Sequence, residues 1–115
     1  MPSNPDTAPL EWRKQYEQLK APLAEIGWIS EGYVQERGST AGGPSYPWSR
    51  KVKGKTVTVA LSKEQYEWLK AAIANWRIVQ NSLKQMQQLS RQVLFATVPG
   101  PQRRKRLSKK VMGIT

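Results

Sequence analysis

The stretch Ser45-Tyr46-Pro47-Trp48-Ser49-Arg50-Lys51-Val52-Lys53-Gly54-Lys55-Thr56-Val57-Thr58-Val59-Ala60-Leu61-Ser62-Lys63-Glu64-Gln65-Tyr66 decides the fold. Val57, Val59 and Leu61 alternate with Thr56 and Thr58, the period of a half-buried strand over residues 55–61. A partner strand is predicted over residues 45–53, with Lys53-Gly54 as a two-residue turn. Such a turn sets Val52 opposite Lys55, Arg50 opposite Val57 and Trp48 opposite Val59. Partners across a hairpin share a face. One face collects Tyr46, Trp48, Val52, Val57, Val59 and Leu61, with Arg50 and Lys55 toward its edge, and reads as core. The other collects Ser49, Lys51, Lys53, Thr56 and Thr58 and reads as wet, basic and rich in hydroxyls.

Just beyond, Ser62-Lys63-Glu64-Gln65 has the form of a capping box, in which the Ser62 hydroxyl accepts from the Gln65 amide and the Gln65 side chain reaches back. Leu61 and Tyr66 occupy the positions of a hydrophobic staple. Tyr66, Leu69, Ile73, Trp76, Leu83 and Met86 form an apolar stripe on a helix that can run to about Phe95, before Pro99-Gly100-Pro101. One small sheet cannot cover that length. The excess, residues 83–95, requires the N-terminal helix, a second copy or another protein.

Upstream, Pro9 opens a helix whose Trp12, Tyr16, Leu19, Leu23 and Ile26 share one face. Pro22 is expected to kink or split it, and Gly27 to end it. Residues 32–37 suggest a short strand and residues 38–44 a Gly/Ser/Thr loop. The expected organisation is a disordered leader over residues 1–8, a single α+β domain over 9–98 and a flexible basic tail over 99–115. The fold class is α+β: an N-terminal helix, an antiparallel sheet of two to three strands, a long C-terminal helix and a basic tail.

Nineteen Lys and Arg face eight Asp and Glu, for a net charge of +11. All eight acids lie at or before Glu67. A field of that sign attracts polyanions. The chain has no Cys and no His, which removes thiol nucleophiles, disulfides, Cys/His zinc sites and the commonest general base. Residues 1–9 do not have the form of a signal peptide and no apolar run reaches membrane-spanning length, so a cytoplasmic protein without membrane contact is expected. No nucleophile motif or phosphate loop surrounds the Ser, Lys or Gly residues. The expectation is a non-enzyme with no catalytic residue, cofactor or metal.

Three features carry a binding chemistry. Lys63, Lys70, Arg77, Lys84 and Arg91 recur every seven residues, nearly two helical turns, and so form a slowly drifting basic line. After Glu67 the polar positions between them, Gln80, Asn81, Gln85, Gln87 and Gln88, are neutral, whereas a helix balanced only for solubility would interleave Glu. The tail cations Arg103, Arg104, Lys105, Arg106, Lys109 and Lys110 suit a phosphate backbone without sequence readout. Lys51, Lys53, Thr56 and Thr58 on the wet sheet face are candidate readers of a DNA groove. Most aromatics sit at core-facing positions; packing explains Tyr33 and Trp68 least.

The run from Trp48 to Tyr66, with Ala71-Ala72-Ile73-Ala74-Asn75, Ile26-Gly27-Trp28-Ile29 and Val98-Pro99-Gly100, resembles a family of small bacterial proteins of unknown function often encoded in or beside transposons and other mobile elements. The resemblance covers most of the chain and implies a mobile-element setting, without a catalytic residue. A looser likeness in architecture is to the small sheet-plus-helix DNA-binding domains appended to phage and transposon integrases. The expected function is non-enzymatic nucleic-acid binding as a mobile-element accessory, with DNA favoured over RNA. The alternatives are a protein-interaction subunit whose long helix docks on a partner such as a transposase or on a second copy, and an RNA-binding component of a ribonucleoprotein.

Overall fold

A computed structural model describes residues 8–40, 42–102 and 105–114. Its elements are α1 (Leu10–Lys20), a 3-10 turn (Ala21–Ala24), β1 (Tyr33–Val34), β2 (Arg37–Thr40), β3 (Gly43–Val52), β4 (Lys55–Leu61), α2 (Lys63–Thr97) and α3 (Lys109–Met112). The architecture is α+β, with an N-terminal helix, a small antiparallel sheet and a long helix. The chain divides into two compact units, Ile26–Val79 and Met1–Glu25 with Gln80–Thr115.

Unit Ile26–Val79 is built on the β3–β4 hairpin. Lys53 and Gly54 both take positive φ, 50° and 82°, the type I′ geometry whose twist matches the flanking strands. The turn sets Val52 against Lys55, Arg50 against Val57, Trp48 against Val59 and Tyr46 against Leu61, the register expected from the sequence. β1 pairs with β3 through Tyr33–Ser49 and Val34–Trp48. β2 also pairs with β3, through Arg37–Ser45 and Thr40–Gly43 with an irregularity between them. The sheet therefore has four strands, and part of the expected 38–44 loop is strand. Gly38, Gly42 and Gly43 weaken the strand signal there, and pairing with the long β3 overrides it.

The capping box forms as expected. The Gln65 amide donates to Ser62 Oγ at 3.1 Å, and the Ser62 amide donates to Gln65 Oε1 at 3.0 Å. With its start fixed, α2 turns Tyr66 toward the sheet, where its ring lies 5.1 Å from that of Tyr46. Tyr46, Tyr66, Ala72 and Ile73 are the buried centre of this unit. The segment after Ile26 then lies along α2. The Ser30 amide donates to Ala72 O at 3.2 Å, and Asn75 Nδ2 donates to Trp28 O at 2.9 Å. Ala72, having no side chain beyond Cβ, permits that approach. The segment ends over Trp48, whose Nε1 donates to Glu31 O at 3.2 Å. Gly32, at φ +122°, leaves no room for a Cβ against the Trp48 indole.

The face expected to be core is covered only in part. Tyr46 is buried and Trp48, Val52 and Leu61 are half-buried, but Val57 and Val59 remain 38% and 42% exposed. Trp28, expected at a core-facing position, is 76% exposed. Its indole leans on Trp68 at 6.5 Å between centroids. On the sheet face, apolar alternation marked the side chains without indicating how far the cover extends.

In the other unit, α1 begins after Pro9, whose carbonyl accepts from the amides of Trp12 and Arg13 at 3.0 and 3.1 Å. Pro22 ends the α-helical part early, and the chain continues as a 3-10 turn that stops at Ala24, before the expected Gly27. Trp12, Tyr16, Leu19 and Leu23 are half-buried on one side. The second half of α2 contributes the buried Leu89 with the half-buried Met86 and Val93. Leu83, Leu94 and Phe95 stay exposed. The tail carries a helical turn, α3, capped by Ser108 Oγ accepting from the Val111 amide at 3.2 Å.

Urea denaturation should show opposite signs at the two ends of the hairpin-to-helix segment. Lys53→Asn should stabilise by up to about 1 kcal/mol, because Asn tolerates positive φ better than Lys. Ser62→Ala should destabilise by about 1 kcal/mol through loss of the cap. A stabilising Ser62→Ala or a strongly destabilising Lys53→Asn would contradict this local geometry.

Candidate nucleic-acid interface

Side chains of a strand alternate between faces. The Tyr46–Tyr66 contact assigns the even positions of β3 to the helix side, so its odd positions face away. Cross-strand register then composes the outer face in rows. Tyr33, Ser49 and Thr58 form one row, and Lys51 and Thr56 the next toward the turn. The Gln35 amide donates to Pro47 O at 3.1 Å, so Gln35, Pro47 and Ala60 form the row on the other side. Lys53 stands at the turn. Lys51, Lys53, Thr56 and Thr58, the candidate readers, are all exposed.

Hydroxyls dominate the middle of this face. Ser49 Oγ and Thr58 Oγ1 lie 2.9 Å apart and share one hydrogen bond. Each hydroxyl has a donor and two acceptor lone pairs, so the pair keeps capacity for a third partner. Tyr33 is 55% exposed beside it. Packing left this ring unexplained, and its register with Ser49 now gives it a place. Arg37 lies along the same edge, where its Nη2 donates to Gln35 Oε1 at 3.4 Å. No Asp or Glu lies between Glu36 and Glu64, while Arg37, Arg50, Lys51, Lys53, Lys55 and Lys63 do. Sequence reasoning left Tyr33 out of the candidate contacts because the two-residue β1 shows too little alternation to assign its face.

Arg50 is on the helix side, its guanidinium 5.1 Å from the centre of the Trp48 ring. Its Nε is buried and has no hydrogen-bond partner among the described residues. This arginine is committed to Trp48 rather than to the outer face.

The basic line on α2 is distributed over both units. Lys63, Lys70 and Arg77 are exposed in unit Ile26–Val79. They flank the residues that α2 turns to the sheet, and Lys70 Nζ sits 5.6 Å over the Tyr66 ring. The outer sheet face points away from α2, so these three cations and the candidate readers do not share a surface. Lys84 and Arg91 are exposed in the other unit. There Arg91 Nη1 donates to Gly113 O at 3.4 Å and Nη2 to Gln87 Oε1 at 3.3 Å, which holds the end of the tail on α2. Lys105, Arg106, Lys109 and Lys110 are exposed. Arg103 and Arg104 lie outside the described residues.

A cleft of about 370 Å³ in the same unit is lined by Gln15, Gln18, Leu19, Gln85, Gln88, Leu89 and Gln92, with no charged group among them. Among the described residues no three acidic side chains gather as a cation site, and no helix is long and apolar enough to cross a membrane. Comparison with known protein families, curated proteins and solved structures gives no match.

Arg91→Gln should loosen the tail without unfolding α2. Hydrogen exchange should show lost protection at the Met112, Gly113 and Ile114 amides, and Lys84→Gln should leave them unchanged. Equal protection in both variants would remove Arg91 as the anchor.

Proposed function

We propose that this chain is a non-enzymatic nucleic-acid-binding protein. The observation that carries the reading is the outer face of the sheet: Ser49, Thr56 and Thr58 hydroxyls, the Lys51 and Lys53 cations and an exposed Tyr33 ring. No acid interrupts residues 37–63. Lysines supply phosphate neutralisation and hydroxyls bond bases or phosphate oxygens. Lys63, Lys70 and Arg77 on α2, with Lys84, Arg91 and the tail cations Arg103, Arg104, Lys105, Arg106, Lys109 and Lys110, add a diffuse attraction that raises encounter rates. The likeness to proteins encoded beside mobile elements makes a transposase or recombinase accessory the fitting role.

A second reading has its own support. Leu83, Leu94 and Phe95 on α2, and the Trp28–Trp68 pair, are large apolar groups left exposed. Such surfaces suit a protein partner, and α2 would then be the docking element of an interaction subunit.

The two readings separate in a salt series. The full chain should bind labelled nucleic acid with log affinity falling linearly in log salt. Lys51→Gln with Lys53→Gln should lower affinity and reduce the steepness of that slope by about 0.7–0.9 per lysine. The same change at Lys14 and Lys20 on α1 should do less. Equal losses from both pairs would mean that only total charge matters. Binding that vanishes near physiological salt would favour the protein-partner reading.

A further inference from the structure

Resting on the nucleic-acid reading, we infer that the outer sheet face takes an unpaired segment, DNA or RNA, whose base stacks on the Tyr33 ring. The row Tyr33–Ser49–Thr58 sets that ring beside two hydroxyls 2.9 Å apart. Lys51 is the diagonal neighbour of Tyr33 across β1 and β3, at a spacing of about 7–8 Å in Cα positions. That separation suits one nucleotide, with the base on the ring and the phosphate at the ammonium. Gln35, in the adjacent row, adds an amide at the same edge.

The chemistry favours unpaired over paired bases. A duplex hides the faces of its bases within the stack and shows a protein only edges and phosphates. An exposed ring on the face has nothing to stack on there. An unpaired base has a free π-face, and aromatic side chains on an open sheet use it whatever the base. The cation content agrees. Affinity for a duplex is dominated by phosphate contacts, yet this face holds Lys51 near its middle, Lys53 at the turn and Arg37 at its edge. Its remaining members are neutral: Tyr33, Gln35, Ser49, Thr56 and Thr58. The α2 cations of this unit, Lys63, Lys70 and Arg77, lie on the helix side of the sheet. Face and edge contacts, rather than charge, are what this surface offers.

The test uses the full chain with three labelled probes at matched salt: single-stranded DNA of about 15 nucleotides, RNA of the same length and the corresponding duplex. Tyr33→Ala, Tyr33→Leu and Tyr33→Phe are compared with the unaltered protein, each checked for native helix content by circular dichroism. A single strand should bind at least about tenfold tighter than the duplex. Tyr33→Ala and Tyr33→Leu should lose about 5- to 100-fold on the single strand and little on the duplex. Tyr33→Phe should keep most of the affinity. Leu retains apolar bulk without a ring, so a folded Tyr33→Leu decides the matter even if Tyr33→Ala is unstable. The preferred single strand, DNA or RNA, names the source. Duplex bound as well as either single strand, or a folded Tyr33→Leu that binds single strands unchanged, overturns this inference while leaving nucleic-acid binding intact. Failure of all three probes overturns the nucleic-acid reading itself.

Discussion

The type I′ turn at Lys53-Gly54 is the constraint on which unit Ile26–Val79 depends. It sets the β3–β4 register, and a slip of one residue would carry every side chain of a strand to the opposite face. With the register set, Tyr46 and Leu61 turn to α2, and Ser49, Lys51, Thr56 and Thr58 turn outward. The inner face organises the core and the outer face carries the hydroxyls and lysines of the proposed interface. Both follow from the same backbone decision, so the turn links stability to the proposed function in this unit.

The inner face is completed by an irregular segment rather than by a regular element. Residues 26–32 bond to α2 through Ala72 O and Asn75 Nδ2 and finish over the Trp48 indole. The segment is tied to α2 and to Trp48 by these hydrogen bonds and delivers the chain into β1. β1 is short, yet it places Tyr33 on the outer face beside the Ser49–Thr58 hydroxyl pair. A ring in that position is brought there by the topology of three strands and by the path of the segment before them. The uncovered Val57, Val59, Trp28 and Trp68 mark where the small core of this unit ends.

The charge is organised differently from the fold. On α2 the cations Lys63, Lys70 and Arg77 lie beside the buried stripe, away from the outer sheet face. Arg91 spends its guanidinium on Gly113 and Gln87. Arg50 spends its own on Trp48. A net charge of +11 therefore overstates the number of cations ready for one phosphate strand. Some of these side chains hold the structure, and the others are spread over separate surfaces.

The amino-acid sequence by itself determined the local geometry. Lys53-Gly54 specified the turn, the alternation in residues 55–61 specified the strand, and Ser62 with Gln65 specified the start of α2, because each is an interaction between residues a few positions apart. The lysines and threonines of the outer face were legible for the same reason. Tertiary structure alone decided which faces are covered and what joins them. β2 arises where glycines obscure the strand pattern, because β3 offers it a partner. Trp28 is exposed although most aromatics were expected to face the core, and its ring lies against that of Trp68, which is itself exposed. Tyr33 enters the outer face through pairing with Ser49, sixteen positions along the chain, a relation that no local period encodes. Burial and long-range pairing depend on what the rest of the chain brings near, which spacing along one segment does not contain.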